Sequence, residues 1–353
     1  MKHYRFSENL KRCIFSTKGG KMKRIVIAVV LVLAVTLSVF GSSSCSSNGY
    51  SGPVESITLG YFPSEGAGLV YIAEEQGFFT DNGVKVIHKY YDTGAGSMEA
   101  LLNNEIDIAG TSEVPVIAKV LEKKEVSIYA SLDKLQYIYF VGRKDRGIET
   151  VADLKGKRIG LPLGTMAEFY LGRFLELNGL SMQDVILVNT APAAAMSSIT
   201  SGNLDGVVIW NPIAYQIEQQ LADEATLLLV QSNQMAYSLA VARNDWLANH
   251  KGVINRSLKA ILQAEQYVIY HPAEAKAIIQ KRMKYDDAFM SSVWSKNEFS
   301  LSLDQSLVAA MEDEARWMIN NNLTSEKKVP DFVNYIYLDG LMEVKPNAVH
   351  IIR

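Results

Sequence analysis

Cysteine is nearly absent from this chain: Cys13 and Cys45 are the two among 353 residues. With Cys13 ahead of the expected initiator, Met22, the two support neither a disulfide framework nor a cysteine-based metal site. Histidine is scarce as well, with five in all (His3, His88, His250, His271, His350). There is no excess of positive charge, since 35 Lys and Arg stand against 38 Asp and Glu for a formal net charge of −3. A nucleic-acid partner calls for a basic patch, so none is expected. The apolar run from Ile25 to Phe40 is short for a membrane span, which needs ~20 residues. What is present is ordinary: 48% hydrophobic and 21% charged residues, enough to build one large or two medium domains with real cores.

The amino-terminal segment reads as a targeting signal rather than as part of a fold. Lys21, Lys23 and Arg24 precede the apolar run, and GSSSCSS follows it, the charge, core and small-residue order of a secretory signal. Met22 is the expected initiator. Cys45 stands where a bacterial lipoprotein signal places its acylated cysteine, although Ser42 occupies a position where an aliphatic residue is usual. The competing reading is cleavage nearby that leaves Cys45 as a stray thiol. Residues 1–45 are thus assigned to a lipoprotein signal and 46–53 to a polar tether, with a membrane partner reached through the lipid.

Beyond the tether the chain writes one unit twice, about a hundred residues apart. Gly60 in ITLGYFPSEGAG corresponds to Gly160 in KRIGLPLGT. Met98 to Ala118 (MEALLNNEIDIAGTSEVPVIA) is matched by Met196 to Ala214 (MSSITSGNLDGVVIWNPIA), with Asp107 answering Asp205 and Pro115 answering Pro212. Segments of one design, YIYFVGRKD from Tyr137 and YSLAVARND from Tyr237, close the two copies.

Within each copy, apolar strands alternate with amphipathic helices, which predicts parallel strands joined by right-handed crossovers. The stretch Lys157 to Leu180 shows the pattern best: a strand to Pro162, a turn at Gly164, and a helix from Thr165 to Gly179. A helix amino terminus just beyond a strand's carboxyl end is where open α/β sheets hold ligands.

The fold class expected is therefore α/β with two lobes, a ligand cleft between them and two hinge crossings. The first lobe takes residues 54–142 and 236–353, the second 143–235. The crossings are placed at Val141–Arg143 and Val241–Arg243. The helical remainder, with Val253 to Tyr270 and Ser306 to Asn320 as its clearest elements, is expected to pack on the first lobe.

Five stretches carry a family resemblance: GYFP at Gly60 to Pro63, AEEQGFF at Ala73 to Phe79, NNEIDIAGTSEVP at Asn103 to Pro115, VADLKGKRIGLPLGT at Val151 to Thr165, and SGNLDGVVIWNP at Ser201 to Pro212. Over Ile57 to about Asn322 the chain resembles the periplasmic substrate-binding proteins of nitrate, sulfonate, taurine and thiamine-precursor importers of the ABC class. That resemblance implies a type II periplasmic-binding-protein fold. It also implies a monomer outside the cytoplasm that closes on a small solute and delivers it to a permease and its ATPase, with no cofactor.

The resemblance further implies roles for loop residues. Ser64, Thr111, Ser112 and Thr165, with Gly164 and Met166 beside the last, would offer hydroxyl and backbone donors to an anionic head. Trp210 would floor the cleft, Asn211 would add a polar contact, and Tyr61 with Phe62 would form the opposing wall. Plain interlobe packing is the alternative for Trp210 and Tyr61. Glu65, Glu113 and Glu168 fall near the same loops and would favour a zwitterion or a pyrimidine over a simple anion, unless they only complement helix dipoles.

Two other functions compete: binding of a thiamine-precursor pyrimidine, and a cofactor-biosynthesis enzyme on the same fold. Catalysis needs a positioned acid, base or nucleophile. The histidines lie outside the predicted loops and no metal-ligand cluster is visible, so a binding protein is expected. An extracellular sensor lobe would need a following membrane span, and none is seen before Arg353.

Overall fold

A computed structural model describes residues 49–231 and 234–352. The expected signal, the Met22 start and Cys45 lie outside the described residues. Ten strands make two five-stranded sheets: β1 (Glu55–Tyr61), β2 (Val84–Tyr90), β3 (Ile108–Thr111), β4 (Val126–Leu135), β5 (Ile138–Arg143), β6 (Arg158–Leu161), β7 (Ile186–Asn189), β8 (Gly206–Trp210), β9 (Ala225–Leu229) and β10 (Ala236–Arg243). The first sheet runs β2-β1-β3-β10-β4 and the second β7-β6-β8-β5-β9. In each, the first three strands are parallel and the fourth is antiparallel to both its neighbours. Strand order and direction therefore repeat, as the duplicated sequence predicts.

The matching residues repeat because they make the same bonds. The Asp107 carboxylate accepts from the Thr58 backbone N–H at 2.7 Å, and the Asp205 carboxylate accepts from that of Arg158 at 2.9 Å. Backbone bonds return from Asp107 to Thr58 and from Asp205 to Arg158. Gly60 and Gly160 are glycines for one reason: a Cβ would collide with Ile106 Cδ1 in the first copy and with Leu204 Cδ1 in the second. Each repeated aspartate is thus a sheet-starting device and not a ligand group.

The crossings differ from those expected. β5 pairs throughout with β8 and β9, and β10 pairs throughout with β3 and β4. Val141–Arg143 and Val241–Arg243 therefore lie within strands, at their carboxyl ends. The chain passes between sheets ahead of these strands, between Leu135 and Ile138 and between Leu229 and Ala236. Similar sequences at Tyr137 and Tyr237 mark the start of the next sheet's antiparallel strand rather than the end of a copy.

Helices of eight residues or more cover both sheets: α1 (Gly68–Glu75), α2 (Gly94–Leu102), α3 (Glu113–Leu121), α4 (Met166–Leu177), α5 (Pro192–Thr200), α6 (Ile213–Leu221), α7 (Lys251–Tyr270), α8 (Pro272–Met283), α9 (Asp287–Trp294) and α10 (Gln305–Asn320). Strands covered on both faces read as nearly continuous apolar runs; β8, GVVIW, is buried at every residue. α7 packs on α1, as expected of the carboxyl-terminal part. α10 reaches further than expected, since it touches both α3 and α4, with Trp317 edge-on to Phe169 at 5.5 Å. Among the described residues, no helix is long and apolar enough to cross a membrane.

Candidate functional site

Four helices begin at one cavity. Ser64 starts the short turn that leads into α1, Thr93 precedes α2, Ser112 precedes α3 and Thr165 precedes α4. Each follows the carboxyl end of a strand in its own sheet. Ser64, Gly94, Ser112, Thr165 and Met166 from these starts all line a cavity of ≈ 90 Å³. Helix amino termini carry unpaired N–H groups and about half a positive charge each, so their convergence favours an anion.

The caps divide these residues by what their side chains can still do. Thr93 and Thr165 use their hydroxyls as caps, accepting from the N–H of Gly96 and Ala167. Thr165 also donates its hydroxyl to the Pro162 carbonyl at 2.7 Å. Its expected role as a hydroxyl donor to solute is therefore already filled within the protein, and Thr165→Ala would cost a cap of about 1 kcal/mol as well. Ser64 and Ser112 make no cap bond, and both line the cavity.

Aromatic groups from both sheets form the remaining walls. Trp210, at the end of β8, packs edge-on to Phe62 with ring centroids 5.5 Å apart, so the two lobes meet at this pair. Trp210 is buried and its Nε1–H has no partner among the described residues. A buried donor left unmatched is uncommon and costly, and a ligand acceptor would satisfy it. Tyr61 presents its ring, while its hydroxyl is held by His88 Nδ1 at 3.2 Å. Thr111 lines the cavity as well.

Three expected contacts are not in the wall: Glu65, Gly164 and Asn211. Gly164 gives its N–H to Glu168 at 2.7 Å, and Asn211 bonds through its own N–H to the Tyr137 carbonyl. Glu65 accepts from the Tyr285 hydroxyl at 3.0 Å, and Glu113 accepts from the Tyr237 N–H at 2.9 Å. All three glutamates thus turn into the protein, and the case they made for a cationic or zwitterionic solute lapses. Among the described residues, no acidic, basic or histidine side chain lines the cavity.

Sequence reading missed Tyr137, Leu135, Tyr237 and Ser238, which also line it. They sit at the crossings, and correct placement of those would have exposed them. The same error hid Gln231. Its fully buried side chain accepts from the N–H of Tyr137 at 2.6 Å and of Ile138 at 2.8 Å, and donates to the Leu135 carbonyl at 3.1 Å. This amide staples one crossing to the other.

Burial pushes the Glu113 carboxyl up to about 8 and that of Glu65 up to about 7. Glu113 faces Glu314, whose carboxyl is also raised by burial and then by Glu113 itself. An acid raised in the folded state stabilises the fold fully below its unfolded value, near 4.3, and that contribution is lost as pH rises through the folded value. Thermal melts should therefore show stability falling from about pH 4 to about pH 8. Glu113→Gln should flatten the fall by up to about 1.4 kcal/mol per pH unit. Identical profiles for the two proteins would mean that Glu113 is solvated.

The protein family described as NMT1/THI5 like matches residues 66–275. A Bacillus subtilis (strain 168) protein, provisionally named an aliphatic sulfonates-binding protein, is 25% identical over 333 residues, 90% of this chain and 96% of that one. The taurine-binding periplasmic protein of Escherichia coli (strain K12) is 24% identical over 222 residues, 61% of this chain and 67% of its own. Among solved structures, the alkanesulfonate-binding protein SsuA from Xanthomonas axonopodis pv. citri, bound to MOPS, superposes with a TM-score of 0.70 at 18% identity. It covers 82% of this chain and 100% of its own. The desulfurization enzyme DSZB shares the fold at a TM-score of 0.61 and 15% identity, covering 82% and 99%. These likenesses give the fold as that of the periplasmic binding proteins.

Proposed function

Because the chain belongs to the NMT1/THI5-like family, we propose that it captures a solute with a sulfonate-like anionic head and an apolar body, outside the cytoplasm, for an ABC importer. The observation that carries this reading is the cavity itself: four helix amino termini and an unpartnered indole N–H, with no charged side chain among its lining residues. Such a site stabilises a singly charged, diffuse anion through N–H and O–H donors and gives nothing to a cation. The relative named for aliphatic sulfonates supports the same class, and the one named for taurine shares the sulfonate head but not the apolar body. An aminopyrimidine would want a carboxylate facing its exocyclic amino group, and the glutamates are turned away.

Capture proceeds by population shift. The lobes exchange solute when apart, and the solute favours the joined form because only there do Ser64 and Ser112 of one lobe and Trp210 of the other reach it together. A lipid on Cys45 would hold the protein at the membrane, and a permease with its ATPase would receive the solute.

Titration calorimetry with butanesulfonate, butylamine and a methylated aminopyrimidine tests the ligand class. Binding of the sulfonate alone is expected, and tighter binding of either nitrogen compound would overturn the reading. Intact-mass measurement of the mature protein should find acyl chains on Cys45; an unmodified amino terminus would remove the anchor.

A further inference from the structure

Behind the cleft lies a second cavity of ≈ 30 Å³, between the first sheet and the helix layer of α1 and α7. Leu59, Val70, Leu132 and Ala240 belong to the walls of both. They come from β1, α1, β4 and β10, so the two spaces share an aliphatic wall. Beyond it the lining is Ile57, Phe79, Val86, Ile108 and Ile261, with Ser257 and Tyr129 as its polar members. The Ser257 hydroxyl is spent on the Val253 carbonyl at 2.8 Å.

This space matches what the cleft lacks. The donors that suit an anion sit at helix starts and on the Trp210 indole, on the cleft side, and none of those residues lines the rear cavity. An apolar void of this size holds no water well, because a buried water needs two to four polar partners. It has room for about one methyl or methylene group and none for a ring. A void in an otherwise close-packed interior also leaves its lining without contacts, so an occupant that entered from the cleft would gain them.

We propose that the rear cavity is a tail subsite, which receives the methyl end of a linear alkyl chain whose anionic head is held at the helix amino termini. The protein then selects solutes by chain length, and two-carbon aminosulfonates fall short of the subsite. This deepens the anionic reading above and rests on it. Ser257 and Ile261, on α7, line the rear cavity and not the cleft, so they can change the length preference without touching the head site.

The test is titration calorimetry of the mature protein with n-alkanesulfonates from ethane to octane. Affinity should rise about fourfold for each added methylene and then break at the length that fills the subsite. Ser257→Val, whose one added methyl fills the cavity, should move the break one carbon shorter and weaken the best homologue about fourfold while ethanesulfonate is unchanged. Ile261→Ala, which enlarges it, should move the break longer and serves independently if the valine variant folds poorly. A break that stays in place in the folded variants, or affinity without any break, overturns the tail subsite and leaves the anionic reading standing. Failure of every homologue to bind overturns both.

Discussion

Gln231→Leu is expected to lower the melting temperature by about 10 °C. The leucine fits the space but leaves the N–H groups of Tyr137 and Ile138 and the Leu135 carbonyl without the partner that Gln231 supplies. Each buried group left unmatched costs roughly 1–3 kcal/mol, and about 2–4 °C follows from each kcal/mol in folds of roughly 150–250 residues. The site makes the loss hard to repair, because Gln231 is fully buried and water has little access to the freed groups. Circular dichroism melts decide the matter: a drop under about 2 °C, the least that one kcal/mol gives, would mean that the crossings do not depend on the amide. The same variant should weaken solute binding, since the crossings would no longer move as one.

Trp210→Ala is expected to weaken solute binding by about 30-fold or more, the range of a buried aromatic anchor at the centre of a contact. Three things are lost together: the wall of the cavity, the edge-on contact with Phe62 that joins the lobes, and the one buried indole N–H that the protein leaves unmatched there. Trp210→Phe separates them. It keeps most of the wall and drops the donor, so a loss of about 10-fold is expected if the N–H meets a charged oxygen, whose hydrogen bonds contribute roughly 1.5–3 kcal/mol. Calorimetry with one alkanesulfonate across the three proteins is sufficient. Equal affinity for the unsubstituted protein and for Trp210→Phe would assign the indole to shape alone, and equal affinity for all three would remove it from the site.

The parts of the site that were readable from sequence share one property: their roles depend on neighbours in the chain. Ser64, Ser112 and Thr165 announce helix starts through the residues that follow them, and Trp210 ends an apolar strand. The glutamates show the opposite. Glu65 and Glu113 stand in first turns beside the cleft, yet each is directed to a partner far along the chain, Tyr285 and the Tyr237 N–H. Nothing local to Glu65 or Glu113 distinguishes that arrangement from one in which the carboxylate faces the solute.

By itself the sequence determined the two-lobed α/β fold, the duplication and the strand ends at which the helices of the cavity begin, because periodicity, turns and caps are local physics repeated in the same order. Tertiary structure alone decided where the chain crosses between sheets, which way the buried acids turn, and that Gln231 holds the crossings together. Those outcomes depend on which distant donors and acceptors meet once water is excluded, and a side chain's eventual partner is not written beside it.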